Sequence, residues 1–198
     1  NESVITISTP LYTATITSRS GGSFIDYTVK DENSKNLKYM GGYDLRGGFH
    51  QDLPVSLIIP SGIDCMPCLA HYNDRMGKYV FINDPFVLLN PPVADTVFLG
   101  FDQKEVFKYE LRDPAGNVLI KKSVSFSADK YISDHVFEIK NDNYDYLGNL
   151  ELVWHGGLRP TERADDEDVQ YGSGIISQAG ETDDVQIKSA DKNLERQI

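Results

Sequence analysis

Apolar and polar residues alternate in short runs along much of the chain, which is the pattern of β-strands that bury one face. Near the N-terminus two such runs, 4–7 and 11–17, are rich in β-branched and aromatic residues. Alternation in the second run predicts a buried face made of Tyr12, Ala14 and Ile16. We therefore predict two strands in this stretch.

A third run, 24–30 (FIDYTVK), follows the turn signal at 20–23 (SGGS). Strict alternation places three of its side chains on one face, namely Ile25, Tyr27 and Val29. Because a short glycine-containing turn separates this run from the run 11–17, the two are predicted to form an antiparallel hairpin.

A second hairpin is predicted around residues 113–117 (DPAGN), where proline presets one dihedral angle and glycine or asparagine tolerates a positive φ. The runs 104–111 and 118–126 flank this turn. Two further strands are predicted at 131–141 and 149–155. One face of the last strand is formed by Leu150, Leu152 and Trp154.

The middle of the chain, 40–101, holds six of the nine prolines, which predicts short strands joined by long loops. Helical periodicity is nearly absent, and only 190–198 (ADKNLERQI) has a helix-forming composition. Regularly spaced strands with turn signals between them indicate an all-β fold, a large β-sandwich.

The charge of the chain restricts its partners. The 198 residues include 30 acidic and 19 basic side chains, giving a net charge of −11, which argues against nucleic acid as a partner. Eight of the acidic residues lie between 162 and 184, where Arg163 is the one basic residue. No run approaches about 18 consecutive apolar residues, so we expect no transmembrane segment within this sequence.

The two cysteines form the motif Cys65-Met66-Pro67-Cys68, whose spacing suits a redox dithiol, half of a zinc site or a small disulfide loop. A redox dithiol needs a helix N-terminus to lower the thiol pKa, and no helix pattern follows Cys68. A zinc site could add His71, with His50 as a fourth ligand far away in sequence. We favour a local disulfide or two reduced thiols, and the compartment decides between them.

No other motif predicts chemistry directly. The four histidines (50, 71, 135 and 155) do not follow a known ligand or catalytic spacing. The pair Trp154-His155 could place a general acid beside a sugar, but we favour the interpretation of a tryptophan at the core edge before a turn. The acidic run Asp165–Asp168 lacks the spacing and glycine of a calcium loop, so we interpret it as a solvated loop. We predict no catalytic, cofactor-binding or metal-binding residue.

Four stretches of the chain, in the same order, resemble the large periplasmic domain of YidC-type membrane insertases. The stretch Ile5–Asp31 (ITISTPLYTATITSRSGGSFIDYTVKD) is similar to the opening of that domain. The stretches Leu119–Asn141 and Leu150–Leu158 (LELVWHGGL) resemble strands of its C-terminal half. Asp165–Gly172 is similar to an acidic loop that contains a tyrosine.

The resemblance implies a large antiparallel β-supersandwich of the galactose-mutarotase-like type over residues 1–189. Residues 190–198 would be a linker or short helix toward a transmembrane core outside this sequence. The implied location is the periplasmic face of the bacterial inner membrane. The implied partners are the Sec translocon with its accessory subunits, and nascent membrane proteins through the membrane core.

The implied function is a non-catalytic, cofactor-free interaction module that assists the insertion and folding of inner-membrane proteins. Because the periplasm is oxidising, the resemblance also favours a disulfide between Cys65 and Cys68. The alternative on the same fold is a sugar-active enzyme of the aldose-epimerase type or a carbohydrate-binding module. Such an enzyme would need a cleft histidine, with His135 or His155 as the candidate, and a carboxylate within reach of the sugar.

Overall fold

The computed structural model describes residues 2–30, 39–44, 46–59, 62–140, 150–159, 173–178 and 181–186. Every regular element in these ranges is a β-strand, which confirms the predicted all-β class. The strands are β1 (Val4–Ser8), β2 (Tyr12–Thr17), β3 (Ser23–Val29), β4 (Met40–Tyr43), β5 (Phe49–Pro54), β6 (Ile58–Ile59), β7 (Cys65–Asn73), β8 (Lys78–Phe81), β9 (Val87–Leu88), β10 (Thr96–Phe98), β11 (Lys104–Arg112), β12 (Val118–Ser127), β13 (Ser133–Ile139), β14 (Leu150–His155), β15 (Gly157–Leu158), β16 (Ser173–Gln178) and β17 (Glu181–Gln186).

The N-terminal strands form a four-stranded sheet in the order β10-β1-β2-β3. The predicted hairpin is confirmed, because β2 and β3 pair antiparallel. The predicted buried face of β2 is also confirmed, since Tyr12, Ala14 and Ile16 are each fully buried. One pair departs from the expected antiparallel order: β1 and β10 run parallel, with Thr6 opposite Thr96.

The alternation predicted for β3 is wrong at Ile25. A β-bulge lies between the pairs Thr15–Asp26 and Ile16–Phe24, so Ile25 has no partner on β2. The extra residue shifts the phase of the strand, and Phe24 takes the inward position predicted for Ile25. Phe24 is therefore buried and Ile25 is half-buried.

A second four-stranded sheet has the order β13-β12-β11-β9. Its central hairpin, β11–β12, is the one predicted around the DPAGN turn. The Asp113 carboxylate accepts a hydrogen bond from the Asn117 backbone N–H at 2.8 Å, and Gly116 supplies a φ of +91°. Aspartate and glycine thus fulfil the roles that this turn requires.

The two four-stranded sheets share one hydrophobic core, as expected for a β-sandwich. The hydroxyl of Tyr12 on β2 donates to the carbonyl of Ser127 on β12 at 2.9 Å and so ties the sheets together. The largest fully buried apolar side chains of the core are Tyr12, Tyr109, Phe107, Phe126, Ile7, Ile16, Met66, Ile120 and Val124.

The middle of the chain forms the predicted short strands, with one exception. The pairs β4–β5 and β15–β6 are small two-stranded sheets. The exception is β7, which has nine residues and is the central strand of the sheet β14-β7-β8. The cysteine motif lies at the start of this long strand rather than in a loop.

The chain divides into two compact units, Asn1–Thr161 and Glu162–Ile198. The described part of the second unit is a hairpin of β16 and β17, paired from Ser173–Gln186 to Gln178–Glu181. We did not predict this hairpin, because the high acidic content of the region obscured its strands. The predicted linker 190–198 and the acidic run Asp165–Asp168 lie outside the described residues. The described ranges contain no helical segment with the length and apolar character needed to cross a bilayer.

Candidate functional site

An open cleft of about 560 Å³ lies beside the sandwich core in the first unit, and we call it the aromatic cleft. Its volume falls within the usual range for ligand sites, about 300–1,000 Å³. Strands β3, β6, β13, β14 and β15 and their flanking loops contribute to it. The lining residues are Phe24, Tyr27, Val29, Tyr39, Leu57, Ile58, Tyr131, Ser133, His135, Trp154 and Leu158.

Phe24 forms the floor of the aromatic cleft and joins its two sides. The Phe24 ring centroid lies 5.4 Å from that of His135 on β13 and 6.2 Å from that of Trp154 on β14. On the core side, the Phe24 ring meets that of Phe126 edge to face at 6.0 Å. The bulge in β3 is what places Phe24 here, so this local irregularity creates the floor of the cleft.

Four large hydrophobic side chains at the rim of the cleft are exposed to solvent. Tyr39, Tyr131, Trp154 and Leu158 are 47%, 46%, 42% and 68% exposed. The Tyr27 hydroxyl donates to the Tyr131 carbonyl and the Tyr131 hydroxyl to the Lys30 carbonyl, both at 3.3 Å. Because these hydroxyls are engaged by backbone carbonyls, Tyr27 and Tyr131 offer mainly ring surface to a ligand.

His135 is the titratable group of the aromatic cleft whose pKa is most perturbed. Burial, together with the nearby charge of Lys122, lowers the pKa of His135 to about 3. Its Nε2 lies 3.3 Å from the Ser133 hydroxyl, while its buried Nδ1 has no hydrogen-bond partner among the described residues. The imidazole is therefore neutral at ordinary pH, and one of its nitrogens is unsatisfied.

A second site with a buried basic side chain, which we call the lysine joint, lies next to the cleft. It consists of Lys122, the carbonyls of Ser20 and Pro67, and the ring of Phe137. Lys122 Nζ donates to the two carbonyls at 2.9 and 2.8 Å and lies 4.6 Å from the Phe137 ring centroid. Burial lowers the pKa of Lys122 to about 7, but its amine is fully partnered.

The lysine joint connects two segments, the turn at Ser20 and the disulfide loop that contains Pro67. Ser20 has a φ of +53°, a left-handed conformation that serine rarely adopts. Besides the bond from Lys122 to its carbonyl, the Ser20 hydroxyl donates to the Asp64 carbonyl at 2.6 Å. The next residue but one, Gly22, also has a positive φ, and a Cβ there would lie 2.9 Å from the Tyr109 and Val124 side chains.

Cys65 and Cys68 form a disulfide in the structure, with an S–S distance of 2.06 Å. Both residues are completely buried. Pro67, between them, accepts the hydrogen bond from Lys122, so the disulfide loop is also part of the lysine joint. An oxidised pair offers no thiolate to a metal, which argues against the zinc interpretation, and complete burial argues against the redox dithiol, because reactive cysteines are partly exposed.

The structure separates the other candidate residues. His50 is exposed and lies 3.1 Å from an Asp44 carboxylate oxygen. His155 packs edge to face on Phe81 at 4.8 Å and does not line the aromatic cleft, although its neighbour Trp154 does. The structure thus gives His155 no place in the aromatic cleft.

His71 lines a second cavity of about 560 Å³, which lies between β8 and the β11–β12 hairpin. Its lining is mainly apolar, with charged side chains at the mouth. The other lining residues are Val80, Phe81, Ile82, Asp84, Pro85, Leu111, Arg112, Asp113, Pro114, Leu119 and Ile120. Arg112 is already engaged by the Glu110 carboxylate at 2.5 Å, and Asp113 by its own turn.

The described lining of the aromatic cleft is mainly apolar. Across the described ranges, no group of three or more potential metal ligands comes together. The aromatic cleft has no carboxylate among its described lining residues, and its histidine is held neutral. Comparisons of the chain with protein-family models, with curated proteins and with solved structures find no match.

Proposed function

We propose that this chain is the periplasmic domain of a YidC-type membrane insertase and acts there as a non-catalytic interaction module. In this role it assists the insertion and folding of inner-membrane proteins beside the Sec translocon and its accessory subunits. The observation that carries the proposal is the aromatic cleft. It exposes a large apolar surface, and its described lining residues include no pair of groups poised for proton transfer.

Three further observations support this proposal. Three of the four stretches that resemble the insertase domain coincide with strands: the first spans β1 to β3, the second lies on β12 and β13, and the third on β14 and β15, whereas the fourth lies outside the described residues. The buried disulfide between Cys65 and Cys68 suits a protein that folds in an oxidising compartment. The net charge of −11 suits a domain held away from an anionic membrane surface.

A flotation experiment tests the proposal directly. The purified chain is mixed with proteoliposomes that contain a bacterial Sec translocon with its accessory subunits. We expect saturable co-flotation with these proteoliposomes. Liposomes of the same lipid without protein, and liposomes with an unrelated multi-pass membrane protein, are the controls. Equal recovery with all three preparations would contradict the proposed function.

The exposed aromatic rim favours one other candidate, a carbohydrate-binding or sugar-active module. Trp154 and Tyr39 could stack on a sugar ring, although the described lining of the cleft includes no carboxylate of the kind that an aldose epimerase would use. Polarimetry of freshly dissolved glucose or galactose tests the enzyme, and a glycan array tests the binding module. Faster mutarotation that is lost in His135→Ala would favour the sugar enzyme over the insertase domain.

A further inference from the structure

The outer edge of β13 borders the aromatic cleft and has unpaired backbone groups. In an antiparallel pair, successive residues bond alternately toward the partner strand and away from it. The Lys140 N–H donates to the Leu119 carbonyl at 2.9 Å, which fixes the phase of this alternation between β12 and β13. The backbone groups that point away from β12 therefore belong to Ser133, His135, Phe137 and Ile139.

Nothing in the described part of the chain pairs with this edge. The sheet order is β13-β12-β11-β9, so β13 is a terminal strand of its sheet. On the opposite side of the cleft, β14 is also a terminal strand, and its Leu152 is 66% exposed. An unpaired row of N–H and C=O groups beside an apolar cavity is a template for an added strand.

The side chains of an added strand would meet different surroundings on its two faces. Ser133 and His135 line the aromatic cleft, so alternate side chains of a strand beside them would enter the cleft over Phe24. The other side chains would lie beside Asp134, Val136 and Glu138, which are exposed on the outer face of β13. Glu138 already pairs with Lys140, and the Asp134 carboxylate accepts a hydrogen bond from the Ser125 hydroxyl at 3.1 Å. Apolar residues fit the first set of positions, and basic residues complement the second.

We propose that β13 binds an extended polypeptide segment by strand addition, and that this segment alternates apolar residues, inserted into the aromatic cleft, with basic residues. This inference deepens the proposed function and rests on it, because it names the chemistry of the partner. Charge complementarity favours such a segment, since the chain carries a net charge of −11 and the Asp134 carboxylate beside the edge has no ion-pair partner among the described residues.

The probe is a fluorescein-labelled peptide of sequence Lys-Leu-Lys-Leu-Lys-Leu-Lys, titrated with the whole chain and followed by anisotropy. Trp154, the one tryptophan of the sequence, gives a second signal from inside the cleft. We expect saturable binding and a shift of the tryptophan emission. A peptide of the same composition with its leucines together, Lys-Lys-Leu-Leu-Leu-Lys-Lys, should bind at least tenfold more weakly. Equal binding of both peptides would overturn the proposal.

Backbone pairing is tested by methylation of the peptide nitrogens. In one peptide the three leucine nitrogens are methylated, and in another the three internal or C-terminal lysine nitrogens. A strand that pairs with β13 along one edge should lose at least tenfold in affinity with one of these peptides and much less with the other. Equal affinity for both methylated peptides would show that the peptide binds through apolar contacts alone. It would overturn strand addition.

A pair of variants tests the protein side of the same hydrogen bonds. Ser133→Pro removes one outward N–H at the first residue of β13, a position where a strand tolerates proline. Ser133→Ala removes the hydroxyl and keeps the N–H, so it is the matched control. We expect about fivefold weaker binding by Ser133→Pro than by Ser133→Ala. If Ser133→Pro does not fold, the methylated peptides still decide the question.

The two proposals can fail separately. If the chain floats with the translocon proteoliposomes but ignores the alternating peptide, strand addition is wrong and the insertase assignment stands. If the peptide binds with the expected pattern but flotation is equal with all liposomes, strand addition stands and the insertase assignment is wrong.

Discussion

The lysine joint and the aromatic cleft each contain one buried basic nitrogen, but they treat it in opposite ways. In the joint, Lys122 has two carbonyl acceptors and the face of Phe137. In the cleft, Nδ1 of His135 has no partner among the described residues. A buried polar group that is satisfied strengthens a fold, whereas one that is unsatisfied weakens it until a ligand or water supplies a partner. The joint therefore has the features of a stabilising element, and the cleft those of a binding site.

The largest effect is expected from Lys122→Met. This change keeps most of the side-chain volume but leaves the buried carbonyls of Ser20 and Pro67 without a donor. We expect a loss of about 4 kcal/mol in the free energy of unfolding, measured by urea denaturation. Lys108→Met, on the exposed face of β11, is the control and should change stability by less than about 0.5 kcal/mol. Equal losses in the two variants would show that the lysine joint is not a stabilising element.

Acid should lower the stability of the protein through His135 in the aromatic cleft. The unfolded histidine binds a proton below about pH 6.5, whereas the folded one stays neutral down to a pKa of about 3. The unfolded state therefore binds more protons in this window, and stability falls as the pH falls. One proton contributes about 1.4 kcal/mol per pH unit, or about 2.5 kcal/mol between pH 7 and pH 4.5.

His135→Phe should remove this part of the acid sensitivity, as followed by urea denaturation at both pH values. The parent protein in the same titrations is the control. An unchanged acid sensitivity in His135→Phe would show that the imidazole of the cleft is not held neutral by its surroundings.

Loss of the disulfide should lower the free energy of unfolding by a smaller amount than Lys122→Met does. The Cys65→Ala/Cys68→Ala double variant opens a loop of four residues, for which the chain-entropy relation gives about 2 kcal/mol. The comparison is with the oxidised parent in the same urea titration. Alkylation in urea without reductant, followed by mass spectrometry, should label neither cysteine of the parent. Labelling of both would mean that the thiols are reduced and that the joint lacks this crosslink.

The smallest effect on stability is expected at Trp154. This side chain is 42% exposed, so Trp154→Phe should change the free energy of unfolding by about 1 kcal/mol or less. The buried Phe126 provides the contrast, since Phe126→Ala should cost about 3–5 kcal/mol. A loss as large for Trp154→Phe as for Phe126→Ala would show that the cleft belongs to the folding core.

Much of the fold could be predicted from alternation alone. The predicted strands near the N-terminus, around the DPAGN turn and at the end of the first unit all form. The face predicted for the last of them is wrong, because the register shifts between Val153 and His155, and Leu152 and Trp154 are 66% and 42% exposed. Alternation fails at Ile25, since a bulge depends on the partner strand and not on the strand that contains it. The hairpin β16–β17 was missed because acidic residues such as Asp183 and Asp184 are poor strand formers.

The candidate site was harder to predict than the fold. Phe24, His135 and Trp154 are far apart in sequence and meet only through the packing of three strands, so no local motif announces the cleft. Lys122 did leave a signal. In the alternation of β12, Lys122 falls on the same face as Ile120 and Val124, which are both buried. A lysine therefore stands at an inward position of a strongly alternating strand. A charged residue in that phase predicts a buried polar contact.

The parallel pairing of β1 with β10 has a consequence for the order of folding. Residues 6–8 find their partners only at 96–98, after about 90 intervening residues. At a synthesis rate of about 5–20 residues per second, the open edge of β1 waits roughly 5–18 seconds for its neighbour. During that interval one edge of β1 in the β1–β2–β3 sheet has no neighbouring strand and is open to pairing with another chain. The time at which residue 98 becomes available sets how soon β10 can cover this edge.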